Sequence, residues 1–327
     1  MFTIQLTNNK SFSCTVDDTI LFSAHKEDIA LNYSCNSGRC QSCKAKVISG
    51  DSVPVAEELG LTEEDKAAGY ILCCVRKPIS NLQLAIEDLS DYHLEKVRTV
   101  PAKINYLAKK SDHVMELHLR TPPNMSFRYR SGQYLNMIKG DFRRSYSIAN
   151  SNSSPDLVFY IKNYPEGRFS SYLFNEAKIN DLLRVEGPLG TFFLRNTQQQ
   201  NIVLLATGTG IAPLIAILQD MDEDAPSFGK KNIFLFYGGR FVEDLFWKPQ
   251  FNNIEVHFYP ILSRNTQEWN GERGYIQDVV ITKGIDLADA VVYACGSENM
   301  ILDAKKVLTA NGLVEDCFHS DAFVSTN

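Results

Sequence analysis

Residues 33–44 read YSCNSGRCQSCK and place Cys35, Cys40 and Cys43 in the spacing C-x4-C-x2-C. Thiolates are soft ligands suited to iron and zinc. With a fourth cysteine further on, this spacing suits a [2Fe–2S] cluster. Tetrahedral zinc sites usually use two C-x2-C pairs, and here there is one. Small and polar residues in the loop let backbone N–H groups approach the sulfurs. The fourth thiolate comes from ILCCVRKP, residues 71–78, which offers the adjacent Cys73 and Cys74. A one-residue step along a strand turns a side chain to the opposite face, so only one of the pair points at the iron.

Residues 1–90 resemble a plant-type ferredoxin domain, with YSCNSGRCQSCKAKVISG as its cluster loop. The family's usual loop length selects Cys73. Its pattern before the ligand is a glycine, an apolar or aromatic residue, two aliphatics, a small residue and then cysteine. Laid on GYILCC, with Pro78 beyond it, that pattern selects Cys74. Loop length varies freely, whereas packing of Ile71 and Leu72 fixes which side chain faces the cluster. Cys74 is therefore the expected ligand, and the additional residue falls in DSVPVAEELG.

Arg144-Ser145-Tyr146-Ser147 resembles the R-x-Y-S motif of the ferredoxin–NADP reductase superfamily. A flavin needs an aromatic surface against its ring, a hydroxyl near its polar edge and a cation for its pyrophosphate. Tyr146, Ser147 and Arg144 supply these in that order. Tyr160 and Lys162, in YIK, resemble the family's second flavin strand. Gly167, Phe169 and Ser170, in GRFSSYLF, open a helix whose N-terminus suits a diphosphate. EGPLGTFFL, residues 186–194, resembles the closing strand. FAD is the implied flavin.

ATGTGIAP, residues 206–213, carries Gly208, Thr209, Gly210 and Pro213 between a buried strand and a helix. Proline stands where the dinucleotide fingerprint has its third glycine, and it suits a first helical turn. The segment resembles the superfamily's pyridine-nucleotide loop. Tyr237, Gly238 and Arg240, in FYGGR, lie where the adenine ribose is expected. Glu243 and Asp244 nearby would repel a 2′-phosphate, so NADH is expected over NADPH. Cys295 and Gly296, in YACGSENM, resemble the family's segment beside the nicotinamide. The alternative for Cys295 is a small buried apolar residue. Phe318, Asp321 and Phe323, in FHSDAFV, are candidates to cap the flavin ring. Cys14 and Cys317 read as structural, and the six histidines lack metal-ligand spacing.

The elements around these motifs divide the 327-residue chain. Residues 1–90 alternate short strands with one helix, ILFSAHKEDIA, and suggest a small α+β domain. Residues 91–100 read as a linker closed by Pro101. Residues 101–198 are mostly closely spaced strands, the pattern of an antiparallel β-barrel. From 199 to 327, strands such as NIVLLA, NIFLFYG and AVVYACG alternate with helical patterns over APLIAILQDM, VEDLFWKPQF, YIQDVVI and NMILDAKKVLTA. That alternation predicts an α/β doubly wound parallel sheet. The expected fold class is thus multi-domain.

With 33 basic and 39 acidic residues, net charge is −6, and no basic run suggests nucleic acid. MFTIQLTNNKSF lacks the basic-then-apolar order of a secretory signal. The longest uncharged apolar run, residues 202–218, is broken by TGTG and Pro213 and suits a strand–turn–helix better than a membrane span. A reducing cytoplasm is the expected compartment.

A nicotinamide gives up two electrons as a hydride, a flavin takes the pair, and a [2Fe–2S] cluster carries one at a time. The expected activity is an NADH-dependent oxidoreductase that delivers single electrons to a partner protein. The module order resembles two groups. One is the CDP-6-deoxy-glucoseen reductases of dideoxysugar biosynthesis, through RRSYSIANS, RVEGPLGTFF, VYACGS and SDAFV; it implies a dehydrase partner carrying pyridoxamine phosphate and iron–sulfur. The other is the reductase components of bacterial oxygenases. A non-catalytic redox-sensing module is the contrasting class, and the intact flavin and dinucleotide motifs count against it.

Overall fold

The computed structural model describes residues 1–164, 166–264 and 268–323. Val324, the last residue of the SDAFV resemblance, lies outside them. The chain forms two compact units, Met1–Glu95 and Lys96–Phe323 in their described parts.

The first unit contains β1 (Phe2–Leu6), β2 (Ser11–Cys14), α1 (Ile20–Lys26), β3 (Lys44–Ser49), β4 (Ser52–Pro54), α2 (Glu63–Ala67), β5 (Tyr70–Leu72), β6 (Arg76–Pro78) and β7 (Leu82–Ala85). A mixed sheet runs in the order β2-β1-β7-β3-β5, while β4 and β6 form a separate pair. Alternation along β1 buries Ile4 and Leu6 against Ile20, Leu21 and Leu84. Thr19 caps α1 through its side chain, which accepts from Phe22 N–H. The short α2 was not expected, although Thr62 and Asp65 form a reciprocal capping box at its start. Residues 30–43 make few regular elements. Their conformation is set by turns, with positive φ at Asn36, Gly38 and Gln41.

The second unit opens with β8 (Arg98–Ser111), β9 (Val114–Arg120), β10 (Tyr134–Lys139), β11 (Phe142–Ser147), β12 (Asp156–Lys162), α3 (Arg168–Asn175) and β13 (Leu182–Leu189). β8 begins inside the stretch read as a linker: Arg98, Thr99 and Val100 already pair with β13. Pro101 sits within that strand. It pairs only with β13 at that point, because the pairing with β9 starts at Lys103, so its missing N–H costs no bond to β9. The antiparallel order is β11-β10-β13-β8-β9-β12. The end strands approach, and Ala149 N–H donates to Val158 O at 2.8 Å, curling the sheet into a barrel.

A parallel sheet follows, built from β14 (Asn201–Thr207), α4 (Ile211–Glu223), α5 (Ala225–Phe228), β15 (Asn232–Gly239), β16 (Val256–Leu262), β17 (Glu272–Arg273), α6 (Ile276–Thr282), β18 (Ala290–Ser297), α7 (Glu298–Ala310) and β19 (Phe318–Phe323). Its order is β17-β16-β15-β14-β18-β19. β14 is central, and Ile202 to Ala206 are buried on both faces, which explains its unbroken apolar run. The chain leaves β14 towards β15 and later returns on the other side as β18, so the sheet's switch point lies between β14 and β18.

The helix expected over VEDLFWKPQF is absent. Val242–Asp244 makes a single 3-10 turn, because the Asp244 carboxylate accepts from the backbone N–H groups of Arg240 and Phe241. Phe246, Trp247 and Phe251 then pack singly against the core of the parallel sheet, and Pro249 lies between them. The barrel and this sheet are fastened by Ser151, which donates its hydroxyl to Glu223 at 2.6 Å and its N–H to Gln219 at 2.9 Å.

Candidate cluster site and dinucleotide crevice

Four of the eight thiols meet in the first unit, two and two. In one pair, Cys35 N–H donates to Cys40 Sγ at 3.4 Å. The N–H groups of Ser37 and Cys40 both donate to Cys35 Sγ, also at 3.4 Å. The hydrogen shared with Cys40 pulls Cys35 down to about 4, and Cys40 is pushed up by the same bond and by burial. In the other pair, the hydrogen shared with Cys43 lowers Cys74, which also accepts from Gly38 N–H, while Cys43 is raised. Gly38 has φ +74°, and a Cβ there would lie 2.5 Å from Glu57 O. Only glycine allows the loop to pass so close.

Cys73 goes the other way. It is fully buried in the core of the unit, and burial pushes its thiol up. Its N–H donates to Cys43 O at 3.1 Å, which fixes the turn that swings Cys74 towards Cys43. Among the described residues, no three His, Cys, Asp or Glu side chains converge as around a single ion. A zinc ion would draw four thiolates to one point, whereas a two-iron cluster takes two on each iron. The donor set therefore fits a [2Fe–2S] group.

The second unit builds its site from distant segments. On β11, Arg144 is exposed and its Nη1 donates to Arg143 O at 2.8 Å. Tyr146 is half-buried, 5.8 Å from the Phe169 ring. Phe169 is buried at the start of α3 and backs the tyrosine rather than presenting its own face. Gly167 is the residue before α3, and a Cβ on it would lie 2.5 Å from Ser170 Oγ. That hydroxyl accepts from Tyr164 N–H at 3.2 Å and lies within donor distance of Gly167 O, so Ser170 ties the turn. Lys162 ends β12 partly exposed, and Tyr160 on the same strand packs 5.0 Å from Phe246. Phe246 was missed, because nothing in the sequence places loop 245–255 against the barrel.

The switch point carries the other half. Thr207 leads into Gly208, Thr209 and Gly210, a 3-10 turn that runs directly into α4, with Pro213 buried in its first turn. Gly208 has φ +53°. A Cβ on Gly210 would meet Cys295 O at 2.4 Å, so β18 and the glycine turn are in backbone contact. Gly296 has φ +151°, and a Cβ there would lie 2.1 Å from Thr207 Oγ1. Thr207 Oγ1 accepts from Ser297 N–H at 3.4 Å and joins the two strand ends, another contribution not foreseen. These glycines leave a backbone-lined crevice of the kind a dinucleotide enters.

Two expected residues sit deeper than a direct cofactor contact needs. Cys295 is fully buried, paired with Ala206 and Asp321, and burial pushes its thiol up. Tyr237 is also fully buried, with its hydroxyl donated to Asp244 O at 2.9 Å. Gly238 borders Thr207 and Ile276, and Arg240 follows β15 exposed. Of the C-terminal candidates, Asp321 reaches the barrel: Ser147 Oγ lies 3.5 Å from its Oδ2, and both residues are buried. Phe323 ends β19 opposite Ser297, exposed, and Phe318 starts that strand.

Residues 4–78 match the family described as a 2Fe-2S iron-sulfur cluster binding domain. Residues 101–194 match an oxidoreductase FAD-binding domain, and residues 204–306 an oxidoreductase NAD-binding domain. The CDP-6-deoxy-L-threo-D-glycero-4-hexulose-3-dehydrase reductase of Yersinia pseudotuberculosis is 36% identical, over 96% of this chain and 95% of its own. The chain belongs to the iron–sulfur flavoprotein reductases. The reductase component of propane 2-monooxygenase from Mycolicibacterium smegmatis is 28% identical, over 94% of this chain and 93% of its own. The crystal structure of the Amycolatopsis cytochrome P450 reductase GcoB shares the fold, with TM-score 0.75 and 22% identity over 99% of both chains. This reductase is thus an electron-transfer oxidoreductase using FAD, a nicotinamide dinucleotide and a [2Fe–2S] cluster to serve a protein partner. No helix among its described residues is long and apolar enough to cross a membrane.

Proposed function

We propose that Cys35, Cys40, Cys43 and Cys74 hold the cluster, and that the observation carrying this is their two-and-two grouping with Cys73 turned into the core. The cofactors supply the electron chemistry: hydride acceptance at the flavin, one-electron carriage at the cluster. The protein's residues bind and orient. Tyr146 offers its ring to the flavin, Arg144 and the start of α3 face the diphosphate, and Lys162 adds charge. Ser147 and Asp321 hold a polar contact where β11 and β19 meet. Gly208, Thr209, Gly210 and Gly296 admit the dinucleotide backbone, and the start of α4 receives its diphosphate. Cys295 packs beneath this crevice.

NADH is the proposed donor. The end of β15 carries the Asp244 carboxylate, which already occupies the N–H groups of Arg240 and Phe241, so a 2′-phosphate would meet negative charge there. The proposed partner is the dehydrase of CDP-linked 3,6-dideoxysugar synthesis, supported by the 36% identity to a reductase of that name. An oxygenase partner is the second reading, supported by the 28% identity to the propane monooxygenase component. The reducing cytoplasm fits a protein that depends on free thiols.

The purified protein is expected to be brown-yellow and to bleach with NADH. Mixed with a CDP-6-deoxyhexulose dehydrase and its substrate, NADH oxidation should yield the 3,6-dideoxyhexulose. Coupling to hydroxylation by an oxygenase instead would overturn the sugar reading and leave the electron-transfer reading intact.

A further inference from the structure

The segment DSVPVAEELG, where an additional residue was placed, holds Glu58, the buried half of an ion pair with Arg76 beside the fourth thiol. The Glu58 side chain is only 4% exposed. Its Oε1 accepts from Leu72 N–H at 2.8 Å, two residues before Cys74. Its Oε2 accepts from Arg76 Nε at 3.0 Å and Nη2 at 2.6 Å, two residues after Cys74. Arg76 Nη1 continues to Ser52 O at 2.9 Å, where β4 pairs with β6. The same segment presses on the three-cysteine loop. Gly60 N–H donates to Gly38 O at 2.9 Å, and a Cβ on Gly60 would meet Arg39 O at 2.5 Å. One carboxylate therefore grips the chain on both sides of Cys74 while its own loop braces the other ligands.

We propose that the Glu58–Arg76 pair is a positioning device for the cluster: it holds Cys74 in register with Cys43 and sets a balanced local charge at the metal site. The proposal rests on the ligand assignment above. A buried pair contributes little net stability against an apolar replacement, so stability alone gives no reason for one here. Position does, because groups around metal ligands tune both affinity and potential. Glu58 is buried and Arg76 is half-buried, so both charges are shielded by less water than at an open surface and act at longer range.

Sign separates this role from mere support. Reduction adds negative charge to the cluster. Glu58→Gln removes a neighbouring anion and leaves Arg76, so the cluster potential should rise. Arg76→Gln leaves the Glu58 carboxylate unbalanced, so the potential should fall. The double variant should return towards the parent value. Arg76→Lys keeps the charge but loses the fork, so it should hold the potential and lose the cluster to a chelator faster, about 10–100-fold. The measurement is a redox titration of the full-length protein, followed by the electron paramagnetic resonance of the reduced cluster. Both single variants shifting the potential in one direction, or neither shifting it, would overturn the proposal. Should Glu58→Gln fail to fold, unchanged cluster lifetime in Arg76→Lys overturns it equally. The ligand assignment is judged separately, by whether Cys74→Ser abolishes the cluster absorption.

Discussion

The proposed cluster site and the proposed dinucleotide crevice solve the same problem, holding a cofactor, in opposite ways. Three of the four grouped thiols lie within nine residues, on a loop whose shape comes from left-handed turns and backbone N–H donors. The fourth is delivered from β5 by a turn pinned to Cys43 O. The crevice proposed for the dinucleotide and flavin instead draws Ser147 from the barrel, Gly208 and Gly210 after β14, Gly296 from the end of β18 and Asp321 from β19. A loop that chelates can be specified locally, because the ligands themselves close it. A groove that admits a long molecule must be assembled from strand ends that only the fold brings level.

That contrast can be broken by substitution. Cys74→Ser should remove the visible absorption of the cluster and leave the flavin spectrum, while Cys73→Ser should leave both. Loss on Cys73→Ser with retention on Cys74→Ser would reverse the ligand assignment.

Acid should strike the crevice unit through His319 on β19. Burial, with Arg195 nearby, holds its pKa down at about 3. An unfolded histidine takes a proton below about pH 6.5. The folded one does not until about pH 3, so unfolding gains a proton as pH falls between those values. Stability therefore declines with falling pH by about 1.4 kcal/mol per unit across that window. His319→Phe should flatten the decline, read from thermal unfolding by flavin fluorescence between pH 4 and 7. An unchanged slope would remove His319 from the account.

Gly210→Ala sharpens the comparison further. Its new Cβ meets the Cys295 backbone, which cannot rotate away. The expected cost of about 1–3 kcal/mol corresponds to roughly 5–150-fold weaker NADH binding. The cluster absorption, belonging to the other unit, should not change.

The smallest effect is expected at the end of β15. Asp244→Asn removes the negative charge and keeps an acceptor for the two N–H groups. The ratio of NADPH to NADH efficiency should rise by roughly tenfold at most, in line with about 1 kcal/mol from one partly exposed charge. No change in the ratio would place donor selection elsewhere.

Much of the fold could be read from the chain. The apolar runs of β14, β15 and β18 and the alternation of β1 follow directly from which faces they bury. The exceptions are physical. VEDLFWKPQF has the composition of a helix, yet Asp244 bonds backward to the turn and the aromatic residues find separate places on the sheet. Pro101 looked like a boundary, yet one side of β8 is unpaired at that point. The three loop thiols were legible as types and spacing, and the fourth as a choice between Cys73 and Cys74. The burial of Cys295 and Tyr237 was not, since burial depends on neighbours far away in sequence.

The sequence by itself determined that three thiolates share a loop, that glycines follow β14 and that an R-x-Y-S strand precedes them, because ligand spacing and glycine turns are local chemistry. Only the tertiary structure decided which way each adjacent cysteine faces, that Asp321 reaches Ser147, and that Glu58 and Arg76 grip the chain around Cys74. Those outcomes depend on register and on contacts between segments many residues apart, which no local pattern encodes.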